Sequence, residues 1–201
     1  MQDQVAELLR RREGHFRFES GHHGNLWLDL EKLCLFPRKV ELLAAALAER
    51  LAPAIEPHRS AGAVICGPLV EGAFIAMAVA RHLDVAFTYA ERLEKPGQAA
   101  HALFPVEYPI PKPLHETLRG APVVIVNDVI NAGSAVRGTL NSLRALGAQP
   151  IAIGSLATLG EIPARWAAEE GLPLHTLAKF EIKIHEPTKC PWCHEGLALT
   201  D

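Results

Sequence analysis

Short apolar runs, each separated from the next by a polar turn and an amphipathic segment, constrain the fold of this sequence more than any other feature. The runs lie at Ala63–Cys66, Val85–Tyr89, Pro122–Asp128 and Ile151–Ala157. Helical spacing of apolar residues predicts helices over Arg38–Leu51, Ala73–His82, Ala135–Leu146 and Pro163–Glu170. Strands that alternate with helices predict an α/β fold with a mainly parallel central sheet flanked by helices on both faces.

The amino-terminal part predicts a different arrangement. Apolar residues at helical spacing indicate a helix over Gln2–Arg12, and two short strands are expected at His15–Phe18 and Leu26–Leu30, around a turn. The helix that begins at Arg38 is expected to end before Pro53, because proline lacks the backbone N–H that continues a helix.

Composition and length exclude several classes of protein. A chain of 201 residues with a formal net charge of −3 fits a single domain over 1–201 and shows no basic excess that would favour nucleic acid. No apolar run reaches the roughly 18 residues of a membrane span, and the residues after Met1 lack the build of a signal peptide. We therefore expect a cytoplasmic protein with no membrane partner.

Two turns predict the ligand site. One follows Cys66 and the other follows Val126, and each joins the carboxyl end of a predicted strand to a helix, whose first N–H groups favour an anion. Two such turns side by side favour a ligand with two separated phosphate groups. Asp128 then suits ribose hydroxyls, or magnesium through water. The simpler alternative is that Asp128 caps the following helix and Gly133 only bends the turn.

The stretch Val124–Ala135 resembles the signature of type I phosphoribosyltransferases that binds 5-phosphoribosyl pyrophosphate (PRPP): an apolar strand, acidic positions and a small-residue phosphate loop. Phe16–Asp29 is similar to the strand, Ser-Gly turn and aromatic strand of the hood in the orotate enzymes, placed here at about 14–35. Gly67–Gly72 resembles the family's pyrophosphate loop, and Tyr89–Gly97 the start of its mobile loop, placed here in an arm segment at 91–118. The resemblance implies the type I phosphoribosyltransferase fold.

It also implies Mg²⁺-dependent transfer of 5-phosphoribose from PRPP to a nitrogenous base, orotate or a related one, by a homodimer. The catalytic residues implied are Lys95, Arg92 and Asp128. Those implied to bind PRPP are Gly67, Pro68, Leu69, Val70, Glu71, Asn127, Asp128, Asn131, Ala132, Gly133, Ser134 and Ala135. Those implied to bind the base are Ser20, Gly21, His22 and Trp27.

Several positions depart from the family pattern. Asn127 stands at the first acidic position of the signature, and Asn131, Ala132 and Ala135 replace hydroxyl residues of the phosphate loop. On the base side, Glu19 stands where the orotate enzymes carry a lysine, and an ungapped comparison puts Leu156 and Ala157 at their Asp-Arg pair. These departures leave open an alternative, a catalytically impaired relative that binds a nucleotide or PRPP as a regulator or assembly partner.

The arm segment and the carboxyl-terminal tail (183–201) each leave alternatives open. Five prolines between 91 and 118 favour a stiff arm docked on a partner subunit, or a surface loop with no role. In the tail, Cys190 and Cys193 have the C-x-x-C spacing that supplies half of a structural Zn²⁺ site, and His185 or His194 would complete it. The two cysteines would otherwise form a reduced or disulfide-linked pair, or have no special role.

Overall fold

A computed structural model describes Val5 and residues 9–30, 34–94 and 106–200 of the chain. Its strands are β1 Arg10–Arg17, β2 His23–Asp29, β3 Val64–Pro68, β4 Ala86–Ala90, β5 Leu93–Glu94, β6 Val106–Glu107, β7 Pro122–Ile130, β8 Gln149–Leu159, β9 Leu174–Phe180 and β10 Ile184–His185. Its α-helices are α1 Pro37–Ile55, α2 Glu71–Leu83, α3 His115–Leu118, α4 Ser134–Ala145, α5 Ile162–Glu169 and α6 Pro191–His194. Short 3₁₀ segments lie at Glu56–Ala61, Lys112–Leu114 and Pro187–Lys189.

The central sheet has five strands in the order β4-β3-β7-β8-β9, all of them parallel. Helices lie between the strands along the chain, and they cover both faces of the sheet, so the predicted fold class is confirmed. No helix among the described residues is both long enough and apolar enough to cross a membrane.

Strand β7 shows why the sheet needs helices on both faces. All nine of its residues are buried, and its side chains alternate between the two faces. Val124 and Val126 belong to a core shared with α1 and α2, whereas Val123 and Ile125 belong to a second core shared with α4 and α5. An apolar run without alternating polar residues is what a strand buried on both sides requires.

A small antiparallel sheet, which we call the hood sheet, stands apart from the central one. Its strand order is β1-β2-β10, so the amino-terminal hairpin is joined by the first residues of the tail. The expected hood is therefore present, but it includes two residues from a distant part of the chain. Ile184 pairs with Gly24, and His185 pairs with His23.

Two predicted helix boundaries were wrong, and both hood strands begin earlier than expected. The predicted helix Gln2–Arg12 overlaps β1, because Arg10, Arg11 and Arg12 pair with residues 27 to 29 of β2. The helix predicted to end before Pro53 continues to Ile55, with Pro53 inside it. Leu51 and Ile55 are fully buried there, so packing against the sheet outweighs the hydrogen bond that proline cannot donate.

The described part of the arm segment packs on its own domain. Tyr108, Ile110 and Leu118 are buried, and the Glu91 N–H donates to the Pro109 carbonyl at 2.8 Å. Gly138 of α4 makes room for this contact, because a Cβ there would lie 2.7 Å from the Tyr108 ring. Residues 95–105, which include Lys95 and Pro96, lie outside the described residues.

Candidate active site

The two predicted anion-binding turns lie side by side. Strands β3 and β7 are hydrogen-bonded neighbours with Val64 opposite Val123 and Cys66 opposite Ile125. Because the strands are parallel, both carboxyl ends lie at the same edge of the sheet. The chain then enters α2 from the first strand and α4 from the second. This edge therefore presents the amino ends of two helices to one region, as the sequence predicts.

The turn after β3 is in close contact with the ends of both neighbouring strands, β4 and β7. The Leu69 N–H donates to the Ala90 carbonyl at 2.9 Å, and the peptide bond between Leu69 and Val70 is cis. A Cβ added to Gly72 would lie 2.2 Å from Oδ1 of Asn127. Glycine at position 72 is thus what allows the turn after β3 to approach the polar end of β7.

Asn127 and Asp128 are both buried and are oriented by local hydrogen bonds. Nδ2 of Asn127 donates to the Val129 carbonyl at 3.0 Å, and the Val129 N–H donates to Oδ1 of Asp128 at 2.6 Å. Asn127 therefore supplies a donor that an aspartate at this position would lack. The Asp128 carboxylate is fixed at the floor of the cavity described below.

The loop before α4 has the features of a phosphate cradle. Gly133 has a φ of 86°, which favours glycine, and α4 begins at Ser134 without a side-chain cap. Oδ1 of Asn131 and Oγ of Ser134 are buried and have no hydrogen-bond partner among the described residues. A recess of about 90 Å³ is enclosed by this loop together with Phe18, Glu19 and Ser20. A phosphate group there would satisfy the helix N–H groups and the serine hydroxyl.

A larger cavity of about 380 Å³ lies between the hood sheet and the central sheet. The first turn and the end of β7 contribute Pro68, Leu69, Val70, Glu71, Gly72, Asn127, Asp128, Asn131 and Ala135 to its lining. The hood contributes Phe18, Glu19, Leu26, Trp27, Leu28 and Leu30, and Arg92 and Tyr108 close one side. An aromatic and aliphatic roof over a polar floor suits a flat ring that is joined to a charged group.

Three side chains connect the hood to the edge of the central sheet. Nε of Arg92 donates to Oε2 of Glu19 at 2.7 Å, and the Tyr108 hydroxyl donates to Oε1 of Glu19 at 2.6 Å. The bond to Glu19 raises the pKa of Arg92, so the guanidinium stays charged. Burial, followed by the bond to Glu19, raises the pKa of Tyr108, so the hydroxyl remains a donor. Among the described residues that line the cavity, Arg92 is the only one with a basic side chain.

The structure brings most of the predicted site residues together, with exceptions on the base side. Trp27 lines the cavity, whereas Ser20 lies in the recess at the phosphate loop. Nδ1 of His22 and Oγ of Ser20 are 3.1 Å apart, and neither His22 nor Gly21 lines the cavity or the recess. Lys95 lies outside the described residues.

Several lining residues were not foreseen as site residues, among them Phe18, Gly72 and Tyr108. The positions of Gly72 and Phe18 in the sequence carried a signal, since Gly72 ends a predicted anion-binding turn and Phe18 ends a predicted hood strand. Tyr108 carried none, because it lies in the proline-rich arm and reaches the site only through the fold. Leu156 and Ala157, at the positions where the orotate enzymes carry their Asp-Arg pair, are fully buried in the core. Arg92 is therefore the cationic side chain that the described lining offers on the base side of the cavity.

The predicted partners of the tail cysteines were wrong. Nε2 of His194 lies 3.2 Å from the Thr188 carbonyl and the residue is exposed, while the His185 ring packs against Trp192 at a centroid distance of 5.3 Å. Neither histidine converges with the cysteines. Two hood histidines, His15 and His23, lie there instead. His185 and His194 lie near the cysteines in the sequence, whereas His15 and His23 lie near them only in the folded chain.

Comparison with known proteins agrees with this geometry. A family model described as the phosphoribosyl transferase domain matches residues 39–180. An orotate phosphoribosyltransferase of Caldanaerobacter subterraneus is 27% identical, with 98% of this chain and 94% of that protein covered. An orotate phosphoribosyltransferase of Nitratiruptor sp. is 32% identical, with 92% and 88% covered.

Solved structures share the fold at lower identity. Orotate phosphoribosyltransferase from Aeropyrum pernix has a TM-score of 0.63 at 22% identity, covering 87% of this chain and 93% of that one. Adenine phosphoribosyltransferase from Thermoanaerobacter pseudethanolicus also has a TM-score of 0.63, at 20% identity, covering 90% and 100%.

Fold and site together define the type I phosphoribosyltransferase class, and the chain belongs to this family. It is an enzyme of the phosphoribosyltransferase type, and the relatives named above that match it in sequence are orotate phosphoribosyltransferases. The expectation drawn from the stretch Val124–Ala135 is therefore confirmed.

Proposed function

We propose that this enzyme transfers 5-phosphoribose from PRPP to orotate and releases pyrophosphate. The observation that carries the proposal is the meeting of two anion-receptive turns at one cavity, with the Asp128 carboxylate between them and an aromatic hood above. The 5′-phosphate binds the N–H groups of residues 131–135, and the pyrophosphate binds the turn Leu69–Glu71. The base lies between the hood and the floor of the cavity, beside Trp27 and Arg92.

The chemistry follows from this placement. The bond between C1′ and the pyrophosphate oxygen breaks as a base nitrogen, which gives up its proton, bonds to C1′. Positive charge grows on the ribose ring and negative charge on the leaving group, so catalysis depends mainly on positioning and electrostatic stabilisation. Asp128 holds the ribose hydroxyls at the reacting ring. Arg92 uses two guanidinium donors for Glu19 and Glu94, and its remaining donors are available for an orotate carboxylate.

The donor set of the cavity fits Mg²⁺. Glu71, Asn127 and Asp128 line it with oxygen atoms, the ligand type that this ion takes, commonly one or two carboxylates completed by substrate oxygens and water. An Mg²⁺ ion held there would supply positive charge that stabilises the leaving pyrophosphate. Asp128 and Glu71 are the residues that would hold it.

Two further parts of the proposal concern a second copy of the chain. We propose a homodimer in which Lys95 reaches the leaving pyrophosphate of the neighbouring subunit. Exposed apolar side chains on α2, Phe74 and Met77, support an interface on that side. A mixture of Lys95→Ala and Asp128→Asn chains tests this arrangement, because a mixed dimer holds one intact site and regains turnover only if Lys95 acts across the interface.

The main experiment measures orotate consumption with PRPP and Mg²⁺, together with calorimetric titration of PRPP. Asp128→Asn is expected to abolish turnover by removing the charge that holds the ribose. Asp84→Asn is the matched control, since Asp84 caps α2 in the left-handed region that asparagine also tolerates. PRPP binding without turnover on any base would favour the regulatory alternative, which the neutral Asn127 supports. Absence of both binding and turnover would refute the proposal.

A further inference from the structure

A cluster of four side chains joins the hood sheet to the tail, outside the cavity described above. The ligand atoms of two histidines and two cysteines lie within 4.8 Å of one another, and three of the four residues are buried: His15, His23, Cys190 and Cys193. We call these four residues the ligand cluster. Sulfur and imidazole nitrogen in equal number are the donors of a tetrahedral structural Zn²⁺ site.

The distances within the ligand cluster are close to those of a tetrahedron around one ion. Zn–N bonds of about 2.05 Å and Zn–S bonds of about 2.3 Å give edges of about 3.3 to 3.8 Å. Sγ of Cys190 lies 3.4 Å from Nε2 of His15, and Sγ of Cys193 lies 3.7 Å from Nε2 of His15 and 3.3 Å from Nδ1 of His23. The His15–His23 nitrogen separation of 2.9 Å is shorter, and a small rotation of one ring opens it.

The backbone explains how the histidines come together. Arg17 of β1 is opposite His23 of β2, and His15 lies in the β-bulge that interrupts the pairing between Glu13 and Phe16. The His15 and His23 rings meet across the hairpin, with their centroids 4.9 Å apart. The cysteines are brought to these rings by the turn that leads into α6, where residues 190 and 193 flank Pro191 and Trp192.

A second shell fixes the orientation of His15. Its Nδ1 lies 2.9 Å from the Leu197 carbonyl, an acceptor, so Nδ1 carries the proton and Nε2 presents its lone pair to the cysteines. A histidine ligand held by a carbonyl at its other nitrogen is the usual arrangement at a metal site. The backbone adds to this contact, since the Thr200 N–H donates to the His15 carbonyl at 2.6 Å and the His15 N–H to Oγ1 of Thr200 at 3.0 Å.

We infer that the ligand cluster binds one Zn²⁺ ion that fastens the tail to the hood. Binding releases the thiol protons of Cys190 and Cys193 to solvent, so the site gains a dianionic sulfur pair and remains neutral overall. The ion closes a loop between β1 and α6, at opposite ends of the chain, and so holds the sheet that roofs the cavity. The site is structural because its four positions are filled by protein ligands.

Metal content of the purified full chain tests this inference. We expect about one Zn²⁺ per chain, with loss of the metal in Cys193→Ser and His23→Gln. Cys193 is exposed, so its substitution leaves packing intact. His194→Gln and His185→Gln are the matched controls and are expected to keep the metal. Cys34→Ser, a cysteine outside the ligand cluster, is expected to keep it as well.

Cobalt substitution supplies a second readout that does not depend on activity. Co²⁺ added to the zinc-free protein is expected to give the d–d absorption of a tetrahedral site and a thiolate charge-transfer band, both absent in Cys193→Ser. Removal of zinc by a chelator is expected to lower the Tm by several degrees and to expose the tail to carboxypeptidase. A wild-type protein that holds neither Zn²⁺ nor Co²⁺, that retains zinc after Cys193→Ser, or that contains a Cys190–Cys193 disulfide would overturn the inference.

Discussion

Gly72 lets the turn after β3 approach the end of β7, where the two predicted anion-binding turns lie side by side. A Cβ at this position would meet Oδ1 of Asn127 at 2.2 Å, and the Asn127 amide is already bonded to the Val129 carbonyl. We expect Gly72→Ala to displace this amide and to lower the free energy of unfolding by about 1–3 kcal/mol, the cost of a buried polar group without its partner. PRPP affinity, measured by calorimetry, is expected to fall by about tenfold or more, because 1.4 kcal/mol of lost interaction corresponds to that factor.

Gly171→Ala separates the effect on the site from the effect on stability. Gly171 has a φ of 70° with open space around it, so alanine there costs about 1–2 kcal/mol of backbone strain far from the cavity. This control is expected to lose stability and to keep its PRPP affinity. Equal losses of affinity in the two variants would mean that the turns do not depend on their close approach.

The buried thiol of Cys66 is expected to make the free energy of unfolding depend on pH in the alkaline range. Burial raises the pKa of its thiol from 9.0 to about 12. The unfolded chain therefore loses this proton first as the pH rises, so the stabilising contribution is complete below about pH 9 and is lost between 9 and 12. At about pH 10.5 the loss is about 2 kcal/mol. Cys66→Ala removes this part of the alkaline destabilisation.

Urea unfolding of both proteins at pH 7.5 and 10.5 measures the effect. The stability difference between wild type and Cys66→Ala is expected to shrink by about 2 kcal/mol at the higher pH. The cavity left by the substitution contributes equally at both values, so it cancels. A difference that does not change with pH would show that the thiol ionises in the folded protein as readily as in the unfolded one.

Residue types near the turns could be predicted from the sequence, but contacts between distant segments could not. Asp128 lies at the end of an apolar run and Ser134 lies in the turn region that follows, so chain order alone places both near a strand end. His15 and His23 were missed as a pair because the second hood strand was expected to begin at Leu26, which put His23 in the turn. In the structure β2 begins at His23, and the bulge of β1 between Glu13 and Phe16, which the sequence does not reveal, places the His15 ring beside the His23 ring.

At the scale of the element, helix α4 offers two buried hydroxyls for comparison. Oγ of Ser134 and Oγ1 of Thr139 are both buried and without a hydrogen-bond partner among the described residues, but only Ser134 lies in the recess at the phosphate loop. We expect Ser134→Ala to weaken binding of ribose 5-phosphate by about 1.5–3 kcal/mol, the worth of a hydrogen bond to a charged group. Stability of the unliganded protein is expected to change little, because no protein partner is lost.

Thr139→Val is the control on the same helix. It removes a buried hydroxyl without a described partner, so we expect unchanged or slightly higher stability and unchanged ribose 5-phosphate affinity. Titration calorimetry of both variants gives the comparison. Equal affinities in wild type and Ser134→Ala would place the phosphate elsewhere.

Helices and strands could be predicted where the local hydrophobic pattern of the sequence agrees with the burial of the segment in the fold. Strand β7 and the helix after it were expected within a residue or two, because both the apolar run and the polar turn follow from burial. The end of α1 was not, since the local effect of Pro53 is opposed by the buried contacts of Leu51 and Ile55, which the sequence does not reveal. The carboxyl-terminal end of the helix predicted over Gln2–Arg12 was wrong for a related reason. Residues 10–12 form a strand because they pair with β2, and this long-range pairing is not visible in the local sequence.

At the scale of the molecule, we expect the choice of base to depend on the contact between the hood and the edge of the central sheet. Glu19 belongs to the hood side and Arg92 to the edge beyond β4, and their ion pair closes one side of the cavity. If the base binds beside Arg92 as proposed, an anionic base competes with Glu19 for the Arg92 guanidinium, whereas a neutral base does not. We therefore expect the contact that closes the cavity to weaken the selection for a carboxylate.

Glu19→Gln is consequently expected to favour orotate over uracil, which lacks the carboxylate. Both Glu19 and Arg92 are partly exposed, so solvent screening limits the gain, and the ratio of kcat/KM values for the two bases is expected to rise by about threefold to tenfold. Arg92→Gln is expected to lower the same ratio. Glu41→Gln, which breaks surface pairs with Arg81 and His82 away from the cavity, serves as the control. A ratio unchanged in both Glu19→Gln and Arg92→Gln would mean that the carboxylate is recognised by another group.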